Sequence, residues 1–266
     1  MLQIKAKVIK NIEVIPRYYK IVLSCSNIVK TAKPGQFLGI KVSASDEPLL
    51  RRPFSVHRIR GSNIEIFYEV LGKGTEILAQ KKTGEYLDII GPLGNGFDYP
   101  QPSALSPQLI LVAGGMGVAP LVFLLEKLRK IKNQKSKIKN LVLIGAKTKN
   151  QILCEKEFRD LNFDVKIATD DGSRGFKGKV TDLLTDLLRT PNSKLQAQIY
   201  ACGPRPMLKE ITRISKKYKI PAQISLEEHM ACGIGACLGC AVNTKKGYLR
   251  VCKEGPVFKA NEIIWE

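Results

Sequence analysis

Four cysteines near the end of the 266-residue chain carry the strongest chemical signal. Cys232 and Cys237 bracket four residues, Cys237 and Cys240 bracket two, and Cys252 follows after eleven more. This C-x4-C-x2-C…C order is the spacing of plant-type 2Fe-2S sites. A tight loop of this kind wraps a small cluster and turns its thiolates inward. Gly233, Gly235 and Gly239 let the backbone approach closely and adopt positive φ. Their amides can then point at sulfur and offset the charge of the cluster. A structural zinc site is the alternative. Such sites usually pair two C-x2-C knuckles, and only one stands here. His229 lies beside the motif, but four cysteines already complete a ligand set. Cys25 and Cys154 sit in apolar surroundings and read as buried packing.

A 2Fe-2S centre carries one electron, so a redox neighbour is expected. RRPFSV (51–56) places Arg52 and Ser55 in a strand-like context with Pro53 and Phe54 between them. An arginine there suits a diphosphate, and a serine suits a ring edge. GKGT (72–75) opens a helix, and its backbone amides, with Thr75, suit a phosphate. LILVAGGMGVAP (109–120) sets Gly114, Gly115 and Gly117 directly after a buried strand, with Pro120 in the first helical turn. That is the mechanics of a pyrophosphate turn, without the full dinucleotide fingerprint. YACGPRPM (200–207) puts Cys202 and Gly203 at another strand end, where a nicotinamide can lie. Asp170 and Asp171, in ATDDGS, either reach a ribose or cap a helix. Each signal is weak alone. Order and spacing strengthen them together.

The elements that must hold these residues change character along the chain. The first hundred residues read as short alternating strands separated by Pro, Gly and Asp, which predicts an antiparallel barrel. PQPSALSP (100–107) reads as a linker. Beyond it, apolar strands (QLILVAGG, NLVLIGA, DVKIATDD, AQIYACG) alternate with helical segments (PLVFLLEKLRKI, NQILCEKEFRDL, KVTDLLTDLL, RPMLKEITRISKKY). That alternation predicts a parallel α/β sheet. The expected domains are a β-barrel over 1–101, an α/β domain over 102–222 and a small cluster domain over 223–266.

Composition excludes several classes. Hydrophobic residues make up 44 %, which is ordinary for a globular chain, and no apolar run is long enough to span a membrane. The N-terminus alternates like a strand and lacks a secretory apolar core, so a cytoplasmic setting is expected. The net charge is +19. The densest basic run, 127–140, has no aromatic residues to stack bases, which favours a solvated surface over a nucleic-acid interface. A zinc-bearing nucleic-acid binder would leave the glycine turns and the α/β pattern unexplained. An acidic protein partner steered by long-range charge is a third reading.

Taken in order, RPFS, GKGT, GGMGVAP and CGP resemble the ferredoxin–NADP reductase superfamily. The tail MACGIGACLGCAV…YLRVCKEGPVF narrows the resemblance to the electron-transfer subunits of NAD-dependent, type B dihydroorotate dehydrogenases, across essentially the whole chain. The resemblance implies FAD at Arg52, Pro53, Phe54 and Ser55, with Phe67, Tyr68, Glu69, Gly74 and Thr75. Glu69 departs from the family, which often has a basic residue there. It implies NAD as the nicotinamide cofactor and Cys232, Cys237, Cys240 and Cys252 as cluster ligands. It also implies a separate FMN-containing, dihydroorotate-oxidising TIM-barrel subunit, a heterotetramer of two plus two, and a place in pyrimidine biosynthesis. No catalytic acid or base is expected in this chain. Related reductase subunits of the ferredoxin:NADP or sulfide dehydrogenase type are the nearest alternative. They often replace one cluster cysteine with aspartate, which this chain does not.

Overall fold

The computed structural model describes residues 1–99, 108–131, 140–189 and 197–265. The predicted linker over 100–107 and most of the basic run over 127–140 lie outside them. The described chain forms two compact units. One comprises Met1–Gly96, Glu228–Val242 and Tyr248–Pro256; the other comprises Phe97–Glu227, Asn243–Gly247 and Val257–Glu266.

The first unit is built on a seven-stranded antiparallel sheet curled into a half-barrel. Its strands are β1 (Leu2–Ile15), β2 (Tyr18–Ser24), β3 (Phe37–Lys41), β4 (Arg52–Ser55), β5 (Arg58–Arg60), β6 (Asn63–Glu69) and β7 (Tyr86–Leu93). Their spatial order is β4-β3-β7-β1-β2-β6-β5. Period-two alternation builds the core: Ala6 and Val8, Ile21 and Leu23, Ile64 and Ile66, Leu87 and Ile89 are all buried. Two short helices, α1 (Ser26–Val29) and α2 (Lys73–Ala79), complete it. Asn11 fixes the end of α2 by donating to the carbonyls of Leu78, Ala79 and Lys81 at 2.9, 3.2 and 3.0 Å.

The second unit is a seven-stranded sheet flanked by helices. Its strands are β8 (Gln108–Gly114), β9 (Leu141–Ala146), β10 (Asp164–Thr169), β11 (Phe176–Lys177), β12 (Ala197–Cys202) and β13 (Ala222–Ser225). Later in the chain, β14 (Ala241–Thr244) and β15 (Gly247–Arg250) pair with each other, and β16 (Val257–Lys259) joins the large sheet antiparallel to β13. The sheet order is β11-β10-β9-β8-β12-β13-β16. The continuous apolar runs are explained by burial on both faces: Leu109–Ala113 and Ile199–Cys202 are wholly buried. The helices are α3 (Val118–Ile131), α4 (Glu155–Asp160), α5 (Val180–Leu188) and α6 (Arg205–Tyr218). α5 buries Val180, Leu184 and Leu188 at four-residue spacing, and α6 buries Leu208, Ile211 and Ile214 at three.

One helical expectation breaks. NQILCEKEFRDL (150–161) carries the end of a 3-10 turn, Lys149–Gln151, and the short α4. Cys154 between them has φ +57°. Leu153 and Cys154 are pulled into the core there, and tertiary packing overrides helical periodicity. Among the described residues, no helix is long and apolar enough to cross a membrane.

Candidate redox cofactor sites

The four cysteines converge on one loop system of the first unit. Cys232 is half-buried, Cys237 is exposed, and Cys240 and Cys252 are buried. The thiols interact pairwise, Cys232 with Cys237 and Cys240 with Cys252. Gly233 and Gly235 take φ of +68° and +84°, and Leu238 takes +59°. A Cβ on Gly235 would come within 2.5 Å of the Lys253 side chain. Glycine is therefore required there on two counts.

Backbone donors aim at the sulfurs. Ala236 N–H donates to Cys232 Sγ at 3.3 Å, and Cys252 N–H donates to Cys240 Sγ at 3.4 Å. Desolvation opposes ionisation of Cys232, but the N–H groups of Ile234, Cys237 and Ala236 and the Cys237 thiol outweigh it, and its pKa falls to about 6. Cys252 is pushed up to about 12 by burial and by the adjacent Cys240. Ionising the buried Cys252 thiol at neutral pH calls for a cation beside it. The donor set, the pairing and the inward amides fit an iron–sulfur centre held by Cys232, Cys237, Cys240 and Cys252.

Arg250 and Glu254 form a clamp that the spacing of cysteines does not disclose. Arg250 Nη2 and Nε donate to the Glu254 carboxylate at 2.5 and 3.0 Å, and Nη1 donates to the Gly235 carbonyl at 2.6 Å. One guanidinium thus ties the Cys232–Cys237 loop to the segment carrying Cys252. The Arg250 guanidinium holds Glu254 down to about 2. A carboxylate depressed in the folded state stabilises fully above its unfolded value near 4.5, and that contribution is lost as pH falls toward 2. The clamp is therefore fully charged at neutral pH. Arg250→Met is expected to weaken iron retention on the order of 10- to 100-fold. It should also lower the midpoint potential of the centre, because a cation favours the more negative, reduced form. Iron analysis and an EPR-monitored redox titration check both. An unchanged potential and iron content would show the clamp to be incidental.

Asn95, in the glycine-rich stretch GPLGNGF (91–97), is a second anchor that no spacing of residues discloses. Its N–H donates to the Gly255 carbonyl at 2.5 Å, and its side-chain amide donates to the carbonyls of Lys253 and Glu254 at 3.2 and 3.0 Å. The half-barrel and the cluster loop also share a crevice. Phe37, Gly39 and Pro53 line one side, and Cys232, Gly233 and Ile234 the other.

The two arginines of RRPFS have different jobs. Arg51 donates to the carbonyl and carboxylate of Asp88 at 2.8 and 2.9 Å and closes the sheet edge. Among the described residues Arg52 donates only to the Leu50 carbonyl, at 2.6 Å, and it lies across Gly74. A Cβ on Gly74 would sit 2.8 Å from Arg52 Nε, so RPFS and GKGT meet in space. Thr75 Oγ1 accepts the N–H groups of Leu71 and Gly72 at 2.9 and 3.2 Å and donates to the Gly72 carbonyl, which fixes the turn.

Tyr68 packs edge-on to Phe54 with centroids 5.6 Å apart, and its hydroxyl donates to Asn11 at 3.2 Å. Strand alternation sends Phe67 to the other face, beside Tyr18 and His57. Glu69 shares that face and bonds the Tyr18 hydroxyl. Desolvation first, and then Glu69, raises the Tyr18 phenol. Pro53 pairs with Gly39 and Ser55 with Phe37 across the β3–β4 ladder.

In the second unit the glycine turns meet where the strand order reverses, between β8 and β12. There Cys202 stands opposite Ala113. Open α/β sheets bind ligands at such a switch point, beyond the strand C-termini. Gly115 has φ +53° with open space around it. A Cβ on Gly114 would meet Met207 Sδ at 2.7 Å, and one on Gly117 would collide with the Cys202 carbonyl. Gly203 has φ +157°, and a Cβ there would lie 3.0 Å from Gly114 N. These glycines form one cradle. The Cys202 thiol is buried and raised, first by desolvation and then by Glu227, while Ser225 opposes. Desolvation also raises the Glu227 carboxyl. Asp171 accepts from the N–H and hydroxyl of Ser173 at 2.9 and 2.6 Å, capping its own turn rather than a helix. His229 is exposed.

Comparison with known proteins follows the same division. Residues 227–264 match the iron-sulfur cluster binding domain of dihydroorotate dehydrogenase B, and residues 111–213 match the oxidoreductase NAD-binding domain. The dihydroorotate dehydrogenase B (NAD(+)), electron transfer subunit of Desulforamulus reducens is 41 % identical over 98 % of this chain and 98 % of its own. The subunit of the same name from Bacillus caldolyticus is 40 % identical over 93 % of each. A solved structure of the NADH-dependent reduced ferredoxin-NADP oxidoreductase superposes with a TM-score of 0.84 at 27 % identity, covering 98 % of this chain and 90 % of that one.

Proposed function

Because the chain belongs to the family of dihydroorotate dehydrogenase B electron transfer subunits, we propose that it links dihydroorotate oxidation on a separate FMN-bearing catalytic subunit to NAD⁺ reduction in pyrimidine biosynthesis. It is a flavin- and iron–sulfur-dependent, NAD-linked oxidoreductase subunit that uses FAD, a 2Fe-2S cluster and NAD. When bound, these groups supply the conversion between one-electron and hydride chemistry that nicotinamide reduction requires. The chain's own residues bind and orient. The observation that carries the reading is the shared crevice, in which Pro53 of the RPFS strand and Cys232 of the cysteine loop line one cavity of the same unit.

In this reading Arg52 neutralises the FAD diphosphate over the Gly74–Thr75 turn. Pro53, Phe54, Ser55 and Tyr68 frame the flavin from β4 and one face of β6, and Phe67 and Glu69, whose side chains turn to the other face, meet it through the β6 backbone. Gly114, Gly115, Gly117 and Gly203 cradle the NAD pyrophosphate, with Cys202 beside the nicotinamide. Cys232, Cys237, Cys240 and Cys252 hold the cluster. No residue acts as acid or base on dihydroorotate. The working domains are 1–101 for FAD, 102–222 for NAD and 223–266 for the cluster. The assembly is a cytoplasmic heterotetramer of two plus two.

Affinity purification of the tagged chain from its own cells, followed by native mass measurement, tests the partner. The expected result is a second, FMN-containing chain in equal number, two of each, that oxidises dihydroorotate and makes NAD⁺ reduction depend on it. A complex that lacks dihydroorotate oxidation and reduces ferredoxin instead would move the chain to the related reductase subunits.

A further inference from the structure

The second unit carries a bowl of about 770 Å³ that none of the redox assignments uses. It lies at the start of β12 and β13, beside Gln198 and Ala222, at the opposite end of these strands from Cys202. Its floor is apolar: Ile220, Ala222 and Ile263 are all buried. The polar floor groups spend their bonds internally. Gln223 exchanges bonds with the Asp98 backbone in both directions, and Ser215 Oγ donates to the Ile220 carbonyl at 2.6 Å.

The wall is cationic. Lys216, Lys219, Lys245 and Lys259 line the bowl, against one carboxylate, Asp98, among the described residues. Lys216 and Lys219 have a local reason to be there, because cations complement the C-terminal end of α6. Lys245, at the β14–β15 turn, and Lys259, on the edge strand β16, have none. They arrive from separate segments of chain. Neighbouring Lys246 pairs with Glu262 at 3.0 Å, whereas none of the four makes an ion pair among the described residues. Four ammonium groups around one concavity repel one another unless an anion joins them.

We propose that this bowl binds a phosphate-bearing small molecule of nucleotide size, a nucleoside di- or triphosphate, at a site separate from that of NAD. The volume is in the range of small-ligand pockets. Lysine is a point-charge partner for phosphate. The buried floor of Ile220 and Ile263 offers an apolar seat for the base or ribose. The floor's polar atoms are already paired, so recognition rests on charge and shape.

The test uses the holoprotein saturated with NAD⁺, titrated by calorimetry with ATP, UTP and inorganic tripolyphosphate. One nucleotide per chain is expected to bind, more tightly than tripolyphosphate and more weakly as salt rises. The double variant Lys245→Gln/Lys259→Gln should weaken it at least tenfold while NADH oxidation by ferricyanide stays at the parental rate. Absence of nucleotide binding, or binding that ignores the double substitution, overturns the proposal. Tripolyphosphate binding as tightly as ATP overturns the nucleotide assignment in favour of bare phosphate. Binding of polyglutamate in place of any nucleotide would make the bowl a docking point for an acidic protein segment and also overturns it.

Discussion

Cys237→Ser is expected to leave NADH oxidation by an artificial flavin acceptor near the parental rate while dihydroorotate-dependent NAD⁺ reduction falls on the order of 100-fold or more. The split follows from where the residue sits. Cys237 is exposed, so the substitution opens no void, unlike loss of the buried Cys240 or Cys252. Serine also keeps the loop's shape. It removes the sulfur that interacts with Cys232, and a neutral hydroxyl is a poor substitute for a thiolate on iron. Electrons from the partner lose their route, whereas hydride exchange between NADH and the flavin does not pass through this loop. Parallel steady-state assays with ferricyanide and with the reconstituted complex separate the two. Undiminished dihydroorotate-to-NAD⁺ turnover in the variant would remove the cluster from the route.

Gly117→Ala is expected to cost about 3 kcal/mol or more of stability and to weaken NADH binding severely. A methyl group there would overlap the carbonyl of Cys202 and lie 2.7 Å from the Gly203 amide nitrogen. These are backbone atoms in a buried strand end, and they cannot rotate away as a side chain does. The turn after β8 and the strand end of β12 would have to separate, which opens the cradle. Gly115→Ala is the control. That position has open space and φ +53°, so only the left-handed backbone cost of about 1–2 kcal/mol applies. Thermal unfolding and NADH affinity of the two variants should differ clearly. Equal melting temperatures would show that the two strand ends do not need their close approach.

Some of this was legible in the chain because the signal is local. QLILVAGG and AQIYACG appear as β8 and β12 with little displacement, since a strand buried on both faces must be apolar throughout. The amino-terminal alternation appears as β1 for the same kind of reason. The four cysteines announce themselves by spacing alone. The segment around Cys154 misled because its apolar periodicity suits a helix, while the core claims Leu153 and Cys154 and turns the backbone left-handed. The supports of the cluster loop left no local trace. Asn95 grips residues about 158 positions away, and Arg250 reaches back 15 to Gly235. Such contacts exist only after folding, so no spacing rule finds them. The distinction between Arg51 and Arg52 is similar. Adjacent arginines look alike until Asp88 takes one and Gly74 lies under the other.

The most direct measurement of the central claim is the visible absorption spectrum of the anaerobically purified chain during titration with NADH. Flavin and iron–sulfur bands should both be present, and both should bleach as NADH is added, as the proposed transfer between the two groups on one polypeptide requires. A protein that stays colourless after reconstitution with iron, sulfide and FAD would contradict the claim and leave zinc as the metal of the four cysteines.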